Sequence, residues 1–269
     1  IVLHHTMDAV SSGLRGMMFR VYNRTLMPRI FKQAHVMITL SEDYFRDCDI
    51  TNVYENFPDA PPIEFVPNGV DINLFRPAQK LPPTPYPLPT ILFASGLDRA
   101  HYFKGVHVLI EAMRMLKEQG VKCRAWIIGD GKMRKEYAAH VQEIGLSNVE
   151  FLGLVPHEKL PEYYCQAMVA VVPSTARVEC FSIVAAEAQA CGIPAIVSNF
   201  PGVRVTIENG KTGFVVRPGD PEDLAHKILQ IIEDPQGARK MGENGRTRAE
   251  RLFSWKIVGN KLETIYRSL

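Results

Sequence analysis

Two glutamates eight positions apart, Glu179 and Glu187, flank the start of a predicted helix. Ser182 is of a type that caps helix N-termini, and the apolar residues after it recur at helical spacing. Glu179 then belongs to the loop before the helix, and Glu187 lies about a turn and a half inside it. Free backbone N–H groups and the helix dipole between them form an anion site. A phosphate bound there leaves one carboxylate for each end of a larger ligand, which suits a nucleotide-sugar.

The same segment also fits an amphipathic helix with a surface glutamate at each end. Features elsewhere in the chain are needed to distinguish this interpretation from a ligand site. Its 269 residues are enough for one or two domains, with 46% hydrophobic and 22% charged residues. A net charge of +2 gives no general attraction to nucleic acid, and we expect no such partner. The five cysteines show no C-x-x-C spacing, which favours a reducing, cytoplasmic compartment without structural zinc.

The chain opens on a strand-like run, Ile1-Val-Leu-His-His5, without an initial Met or a basic leader. We interpret this as a start inside a domain, that is, as an N-terminal truncation. No apolar run approaches the length of a membrane span.

Two series of alternating strand and helix patterns are separated by a proline-rich segment. Residues 1–75 hold the first series, and residues 76–89 contain six prolines in 14 residues, which is typical of a linker. Residues 90–252 hold the second series, and residues 253–269 a terminal helix. Short apolar strands, each followed by a helix, predict an α/β protein with parallel sheets. Ligands of such sheets bind at the carboxyl ends of the strands.

Seven motifs follow one another along the chain in a recognisable order. They are Val66-Pro-Asn-Gly-Val-Asp71, Gly96-Leu-Asp-Arg-Ala-His-Tyr-Phe-Lys-Gly105, Ile127-Ile-Gly-Asp-Gly131, Val149-Glu-Phe-Leu-Gly153, Pro173-Ser174, the Glu179/Glu187 pair and Phe253-Ser-Trp255. In this order and spacing the set resembles the retaining glycosyltransferases of family 4, also called group 1. The resemblance covers nearly the whole sequence and implies the GT-B architecture of two Rossmann-like domains with parallel sheets. The first domain would be incomplete and acceptor-side, residues 90–252 would bind the donor, and the terminal helix would cross back to the first domain.

The resemblance also implies roles for the charged residues. Arg99 and Lys104 are similar to the basic pair that grips the donor diphosphate, although a solvated basic loop is the alternative. Glu179 would contact the donor sugar and Glu187 the ribose hydroxyls. His5 resembles the amino-domain histidine that faces the donor sugar, with His4 as a competitor for that role.

Backbone contacts to the donor follow from the same resemblance. Ser182 and Ile183 would offer N–H groups to the phosphates, and residues 153–156, with Val155, would cradle the nucleobase. Gly96 and Gly129 follow predicted strands and would line the donor site. Some positions depart from the family pattern: Leu97 stands where Arg is common, Ser182 where Gly is common, and Pro201-Gly-Val-Arg-Val205 replaces a Gly-Gly-x-x-Glu loop.

Residues 13–33 form a basic amphipathic pattern inside a stretch, 9–41, that has no acidic residue. Such a helix can lie on an anionic membrane, so a peripheral contact with the inner face of the membrane is a further hypothesis. The alternative is an ordinary domain helix whose arginines face solvent, or one left uncovered by the truncation. No metal site is predicted, because the histidines lack paired ligand spacing and Asp47-Cys-Asp49 is more typical of a polar turn.

The resemblance therefore implies a retaining, metal-independent glycosyltransferase without a cofactor. It would move a hexose from a nucleoside-diphosphate-sugar to a hydroxyl of a glycan or lipid-linked acceptor, in polysaccharide or cell-envelope biosynthesis. Two alternatives stay open: a non-catalytic nucleotide-sugar binding fragment, since a truncated chain can be inactive, and a nucleotide-sugar epimerase of the same architecture.

Overall fold

The computed structural model describes residues 1–6, 13–78 and 88–269 of the chain, and only the backbone of residues 13–15. Residues 79–87, most of the predicted linker, lie outside the described residues. The strands are β1 (Val2–His5), β2 (Val36–Thr39), β3 (Ile63–Phe65), β4 (Thr90–Ala94), β5 (Arg124–Ile128), β6 (Val149–Gly153), β7 (Val169–Val172), β8 (Ala195–Ser198) and β9 (Gly213–Val216). The helices are α1 (Gly13–Thr25), α2 (Met27–Gln33), α3 (Glu42–Arg46), α4 (Thr51–Glu55), α5 (Val106–Glu118), α6 (Arg134–Glu143), α7 (Leu160–Tyr164), α8 (Ile183–Ala190), α9 (Pro221–Glu233), α10 (Pro235–Leu252) and α11 (Trp255–Arg267).

The strands of the described residues form two parallel sheets, as the alternating pattern predicts. The first has the order β1-β2-β3 and the second the order β6-β5-β4-β7-β8-β9. All pairings within them are parallel. In the second sheet the chain adds β5 and β6 on one side of β4, and β7, β8 and β9 on the other. The order thus reverses between β4 and β7, where a doubly wound sheet opens its ligand crevice at the carboxyl ends.

The four central strands of the second sheet, β4, β5, β7 and β8, are buried on both faces, which explains their apolar runs. Ile91 and Phe93 of β4 pack into the cluster formed with α5 and α9, whereas Leu92 packs into the cluster on the other face. This second cluster includes Ala186 of α8 and Ala249 of α10. Successive side chains of a strand point to opposite faces, so helices on both faces require apolar residues at every position.

The terminal helix α11 lies against the first sheet, although α10 before it packs on the second. Val258 and Ile265 of α11 are buried with Val36, Ile38 and Val66. Between α10 and α11 the chain pairs with the backbone of Val70, whose N–H donates to the Phe253 carbonyl at 2.6 Å. The last helix therefore joins the side of the second sheet to the first.

The predicted helical stretch near 13–33 is two helices, α1 and α2, separated at Leu26. Pro28 lies in the first turn of α2 and has no N–H with which to continue the hydrogen bonds of α1. Among the described residues, no helix combines the length and the apolar character that crossing a bilayer requires.

Candidate active site

The loops that follow β4 and β7 touch each other at the point where the strand order reverses. Gly105 has φ +81°, and a Cβ at this position would lie 1.9 Å from the carbonyl oxygen of Pro173. Only glycine fits both that φ and that contact. In the opposite direction, the N–H of Thr175 donates to the Phe103 carbonyl at 2.7 Å. These contacts fix the short 3₁₀ turn Arg99–Lys104 against the loop that carries Glu179.

Lys104 and Glu179 form an ion pair at this junction. The Lys104 Nζ lies 2.7 Å from Glu179 Oε1, and their side chains are 24% and 6% exposed. The Ser174 hydroxyl donates to the other carboxylate oxygen, Oε2, at 2.5 Å. A buried carboxylate needs such partners, because burial strongly disfavours an unpaired charge. The Glu179 carboxylate is therefore held in one orientation by two partners, one of them a cation.

Helix α8 begins directly after this loop and leaves two backbone donors free. Ser182 caps the helix, its side chain accepting from the N–H of Ala185. Within the described residues no hydrogen bond is made by the N–H groups of Ile183 and Val184, which belong to the first turn. Ile183 is 47% exposed. These free donors at the positive end of a helix can bind an anion.

Glu187 lies one turn further along α8 and is held by two side chains. The Tyr164 hydroxyl donates to Glu187 Oε2 at 2.8 Å, and His157 Nε2 lies 3.3 Å from Oε1. Tyr164 is fully buried, whereas the His157 side chain is 63% exposed and covers the carboxylate from the solvent side. Burial raises the pKa of Glu187 above its usual value, while the hydrogen bonds from Tyr164 and His157 act in the opposite direction.

Both partners of Glu187 are braced by one aromatic ring. Phe75 packs edge-on against His157 and against Tyr164, with ring centroids 5.1 and 5.9 Å apart. His157 and Tyr164 did not figure among the predicted site residues. Their signal in the sequence is weak, because they lie far from Glu187 along the chain and belong to no motif.

The other predicted donor-site residues lie at the same edge of the second sheet. Gly96 follows β4, and Gly129 follows β5 with φ +130° because its backbone approaches the Ser95 carbonyl. Val155 follows β6 and packs partly on the second sheet's core. Arg99 is exposed, and within the described residues no ion pair joins it to a carboxylate.

The two neighbouring histidines of β1 point in different directions. His4 Nε2 lies 3.1 Å from the Tyr266 hydroxyl of α11. The His5 ring instead stacks near Tyr44, with centroids 6.2 Å apart. Tyr44 in turn borders Gly202, whose Cβ position also meets the Cys180 carbonyl beside Glu179. His5 is thus the histidine on the side of the Glu179 loop.

The first and second sheets are bridged by charged contacts near this site. Asp43 of α3 accepts the N–H of Gly202 at 2.9 Å and pairs with Arg204 at 2.6 Å. The Asp43 carboxylate therefore binds the loop 201–205, which departs from the family pattern. Asp47 pairs with Arg177 at 3.1 Å. Among the described residues no group of three or more His, Cys, Asp or Glu is placed to hold a metal ion.

Comparisons with known proteins agree with this architecture. The family model described as "Glycosyl transferases group 1" matches residues 87–248, and the chain belongs to this family. A GDP-mannose-dependent monoacylated alpha-(1-6)-phosphatidylinositol monomannoside mannosyltransferase from Corynebacterium glutamicum is 30% identical over 226 residues, which are 79% of this chain. The chain spans 58% of that relative's length.

Solved structures of the same architecture cover nearly all of the chain. Sucrose-phosphate synthase from Thermosynechococcus elongatus matches with a TM-score of 0.79 and 29% identity, over 98% of this chain and 67% of that one. HepE from Anabaena, in complex with UDP and glucose, matches with a TM-score of 0.77 and 23% identity, over 100% of this chain and 71% of that one. The fold is thus of the GT-B type, and the predicted fold class and family are confirmed.

Proposed function

We propose that the protein is a retaining glycosyltransferase that moves a sugar from a nucleoside-diphosphate-sugar to an acceptor hydroxyl. The observation that carries this proposal is the buried Lys104–Glu179 ion pair beside the open N-terminus of α8. Glu187 follows one turn later on the same helix. Cation, free N–H groups and two carboxylates thus occupy one edge of the second sheet, and membership of the group 1 family supports the same activity.

The donor diphosphate binds at the first turn of α8 in this proposal. The N–H groups of Ile183 and Val184 and the dipole of α8 hold its oxygens, with Lys104 and Arg99 as the cations. Glu187 takes the ribose hydroxyls, and His157 lies beside it at the solvent side. The backbone of residues 153–156, with Val155, contacts the base, and Glu179 contacts the sugar. UDP in the HepE structure is consistent with a nucleotide of this class.

The chemical step breaks the bond between the anomeric carbon and the diphosphate oxygen. Negative charge then develops on the leaving diphosphate, where Lys104, Arg99 and the α8 N-terminus stabilise it most in the transition state. These groups take the place that a metal ion would fill, so we propose a metal-independent reaction. The acceptor hydroxyl attacks from the same face, and its proton passes to the leaving phosphate. His5 lies at the sugar side of the site.

We also propose that α1 and the residues directly after it contact an anionic membrane that carries the acceptor. Six apolar side chains are exposed on or directly after α1: Met17, Met18, Phe19, Val21, Tyr22 and Leu26. Arg20, Arg24 and Arg29 lie among them and are also exposed. Apolar and basic side chains together suit the surface of anionic lipids. The Corynebacterium relative is named for a monoacylated phosphatidylinositol monomannoside, which supports a lipid-linked acceptor. The proposed contact is with the inner face of the membrane.

Vesicle sedimentation tests the membrane contact. We expect the chain to sediment with phosphatidylglycerol-rich vesicles at low salt, and a variant with Arg20→Glu and Arg24→Glu to stay in the supernatant. A control variant with Arg239→Glu and Lys240→Glu on α10 should sediment like the wild type. Equal binding of neutral vesicles, or no binding at low salt, contradicts the contact.

A thermal-shift titration with UDP, GDP and ADP tests the donor site. A ligand that binds only the folded chain raises the melting temperature by mass action. We expect one nucleotide to do so, and the shift to fall in Glu187→Ala but not in Glu143→Ala, whose carboxylate is 80% exposed. No shift with any nucleotide contradicts the proposal.

Product analysis with the nucleotide-sugar of the stabilising base tests the reaction. Donor hydrolysis or transfer whose product keeps the anomeric configuration of the donor sugar supports a retaining enzyme. Binding without turnover supports the non-catalytic module instead, and an isomerised nucleotide-sugar supports the epimerase.

A further inference from the structure

Helix α3, in the same part of the chain as the first sheet, lies against the loop 201–205 that follows β8 of the second sheet. Asp43, in the first turn of α3, binds the Arg204 guanidinium. Its Nη2 lies 2.6 Å from one carboxylate oxygen, and its Nε lies 3.2 and 3.1 Å from the two oxygens. The same carboxylate accepts the N–H of Gly202 at 2.9 Å. One side chain thus holds two points of a loop that lies far along the chain.

The Asp43 contact differs from an ordinary surface ion pair. Glu42, the preceding residue, pairs with Arg46 of its own helix, and both of these side chains are more than half exposed. Such pairs contribute little to stability. The Asp43 side chain is 25% exposed and accepts from a guanidinium and a backbone N–H at once. Charge-assisted hydrogen bonds of this kind fix geometry as well as adding energy, so Asp43 orients the loop.

The backbone of Gly202 transmits this contact to the loop that carries Glu179. Gly202 has φ +81°, and a Cβ at this position would lie 2.2 Å from the carbonyl oxygen of Cys180. The same Cβ would lie 3.0 Å from the Cβ of Tyr44 in α3. Gly202 is therefore enclosed between α3 on one side and the residue directly after Glu179 on the other.

His5 reaches the same junction from the first sheet. The buried ring of Tyr44 stacks near the His5 ring, with centroids 6.2 Å apart. The Cys180 thiol donates to the carbonyl oxygen of Thr6 at 2.6 Å. The residues that directly follow His5 and Glu179 in the chain are thus hydrogen-bonded to each other. The contacts of α3 and this hydrogen bond together fix the separation of the His5 and Glu179 side chains.

A second carboxylate of the same face of α3 makes a parallel contact. Asp47 follows Asp43 by four residues, the spacing that places two side chains on one face of a helix. It pairs with Arg177 at 3.1 Å, and Arg177 lies in the loop just before Glu179. The acidic face of α3 therefore meets two arginines, one after β7 and one after β8.

The groups proposed to hold the nucleotide have their partners elsewhere. Lys104 pairs with Glu179, and Glu187 is held by Tyr164 and His157, all on the side of the second sheet. The free N–H groups of the first turn of α8 belong to the same side. The α3 contact therefore bears on the sugar end of the site and not on its nucleotide end.

We propose that Asp43 is a positioning residue for the sugar end of the site. By holding the loop 201–205, it sets the distance between His5 and Glu179. This inference rests on the proposed transferase function, in which both side chains face the donor sugar. A misplacement of about 1 Å at a reacting group can cost about 100-fold in rate. Loss of the Asp43 contacts should therefore slow transfer and leave nucleotide binding unchanged.

Hydrogen exchange of the Gly202 N–H, read from its amide NMR signal, tests the contact without any substrate. Asp43 protects this N–H in the wild type, so Asp43→Ala should speed its exchange by about tenfold or more. Glu42→Ala, on the exposed neighbouring carboxylate, is the matched control and should leave the exchange unchanged. Unchanged exchange in Asp43→Ala overturns the contact. An equal rise in the N–H groups of β5 reflects global unfolding and overturns the local role of Asp43.

Donor hydrolysis and transfer, measured with the nucleotide-sugar of the stabilising base, test the positioning role. In Asp43→Ala and in Arg204→Ala we expect kcat to fall about tenfold or more, with the donor KM and the nucleotide thermal shift unchanged. The double variant should be no slower than the slower single variant, because both lose the same contact. Arg204→Lys keeps the charge and should retain more kcat than Arg204→Ala. A raised KM at unchanged kcat, or additive losses, overturns the proposal.

A conservative variant keeps the test independent of folding defects. Asp43→Asn can still accept the Gly202 N–H but carries no charge, so its exchange and kcat should lie between those of the wild type and Asp43→Ala. Values equal to the wild type in both measurements overturn the role of the ion pair. A wild type without nucleotide shift and without turnover counts against the proposed function, and the Gly202 exchange then still decides whether Asp43 holds the loop.

Discussion

The Lys104 ammonium group lies 2.7 Å from the Glu179 carboxylate. This ion pair joins the loop after β4 to the loop after β7. These two strands are neighbours in the sheet, although β5 and β6 lie between them in the chain. The ion pair therefore lies at the reversal of strand order. It holds a cation and a carboxylate beside the loop that leads into the first turn of α8.

The ion pair predicts a stability cost that depends on which partner is lost. Lys104→Met leaves Glu179 as a buried carboxylate with Ser174 as its remaining donor, and should lower the free energy of unfolding by about 3 kcal/mol. Adding Glu179→Gln should recover part of that loss, because the buried charge is gone. Lys117→Met is the control, since Lys117 is exposed and donates a hydrogen bond to the Gly145 carbonyl. Urea unfolding compares the wild type, the single variants Lys104→Met and Glu179→Gln, their double variant and the control. Strictly additive losses in the two single variants and the double variant would contradict the pairing.

Glu187 predicts opposite effects of one substitution on stability and on binding. Burial raises the pKa of Glu187 above the ordinary 4.5, so the folded chain favours the protonated carboxyl. That contribution is complete below the unfolded pKa and is lost as the pH rises through the folded pKa. Glu187→Gln stays neutral, so we expect a higher melting temperature than the wild type at about pH 8 and a shrinking difference towards about pH 5.

Nucleotide stabilisation should fall in the same Glu187→Gln variant, because an amide is a weaker acceptor of ribose hydroxyls than a carboxylate. Glu143→Gln, on an exposed carboxylate, is the control for both measurements. A melting temperature that differs from the wild type equally at all pH values would exclude the burial effect.

Two glycines predict how tightly the β4 and β7 loops are packed. Gly105 and Gly120 have similar φ angles, +81° and +75°. A Cβ added at Gly105 would lie 1.9 Å from the Pro173 carbonyl oxygen, whereas one added at Gly120 would meet no atom of the described residues within 4 Å. Gly120→Ala should cost about 1 kcal/mol from backbone strain alone. Gly105→Ala should cost about 3 kcal/mol or more and abolish nucleotide stabilisation, because the loops must separate. Equal unfolding free energies of the two variants would rule out the close packing.

Arg246 predicts a long-range effect on the Glu187 site. Its Nη1 donates to the carbonyls of Ile72, Phe75 and Ala190 at 3.0, 2.9 and 2.8 Å. Ala190 lies on α8, and the Phe75 ring packs on the two partners of Glu187. Arg246→Ala should cost about 3 kcal/mol, the loss of charged hydrogen bonds, and weaken nucleotide binding. Arg239→Ala, on an 82% exposed side chain of the same helix, should change neither the unfolding free energy nor the thermal shift.

Much of the candidate site follows from local sequence patterns. Ser182 as the cap, α8 starting at Ile183 and Glu179 in the preceding loop all agree with the predicted positions. Pro28 shows where a local signal was present but not used, since it separates α1 from α2 inside the predicted stretch near 13–33. Local patterns suffice in these cases because capping, helical spacing and proline geometry act over a few neighbouring residues.

The side-chain partners of Glu187 could not be obtained in the same way. Tyr164 of α7 and His157 of the turn before it contact the Glu187 carboxylate. Neither contact is indicated by a periodicity or a motif, since each depends on how two distant segments pack.

The sequence by itself determined the order of strands and helices, the family and the carboxylates at the start of α8, because hydrophobic period and capping are local properties. The tertiary structure decided that β4 lies beside β7, and hence that Lys104 meets Glu179 and Tyr164 meets Glu187. The physical reason is that burial of charged and polar groups is stable only when distant partners satisfy them. Those partners are brought together only when both faces of the second sheet are packed.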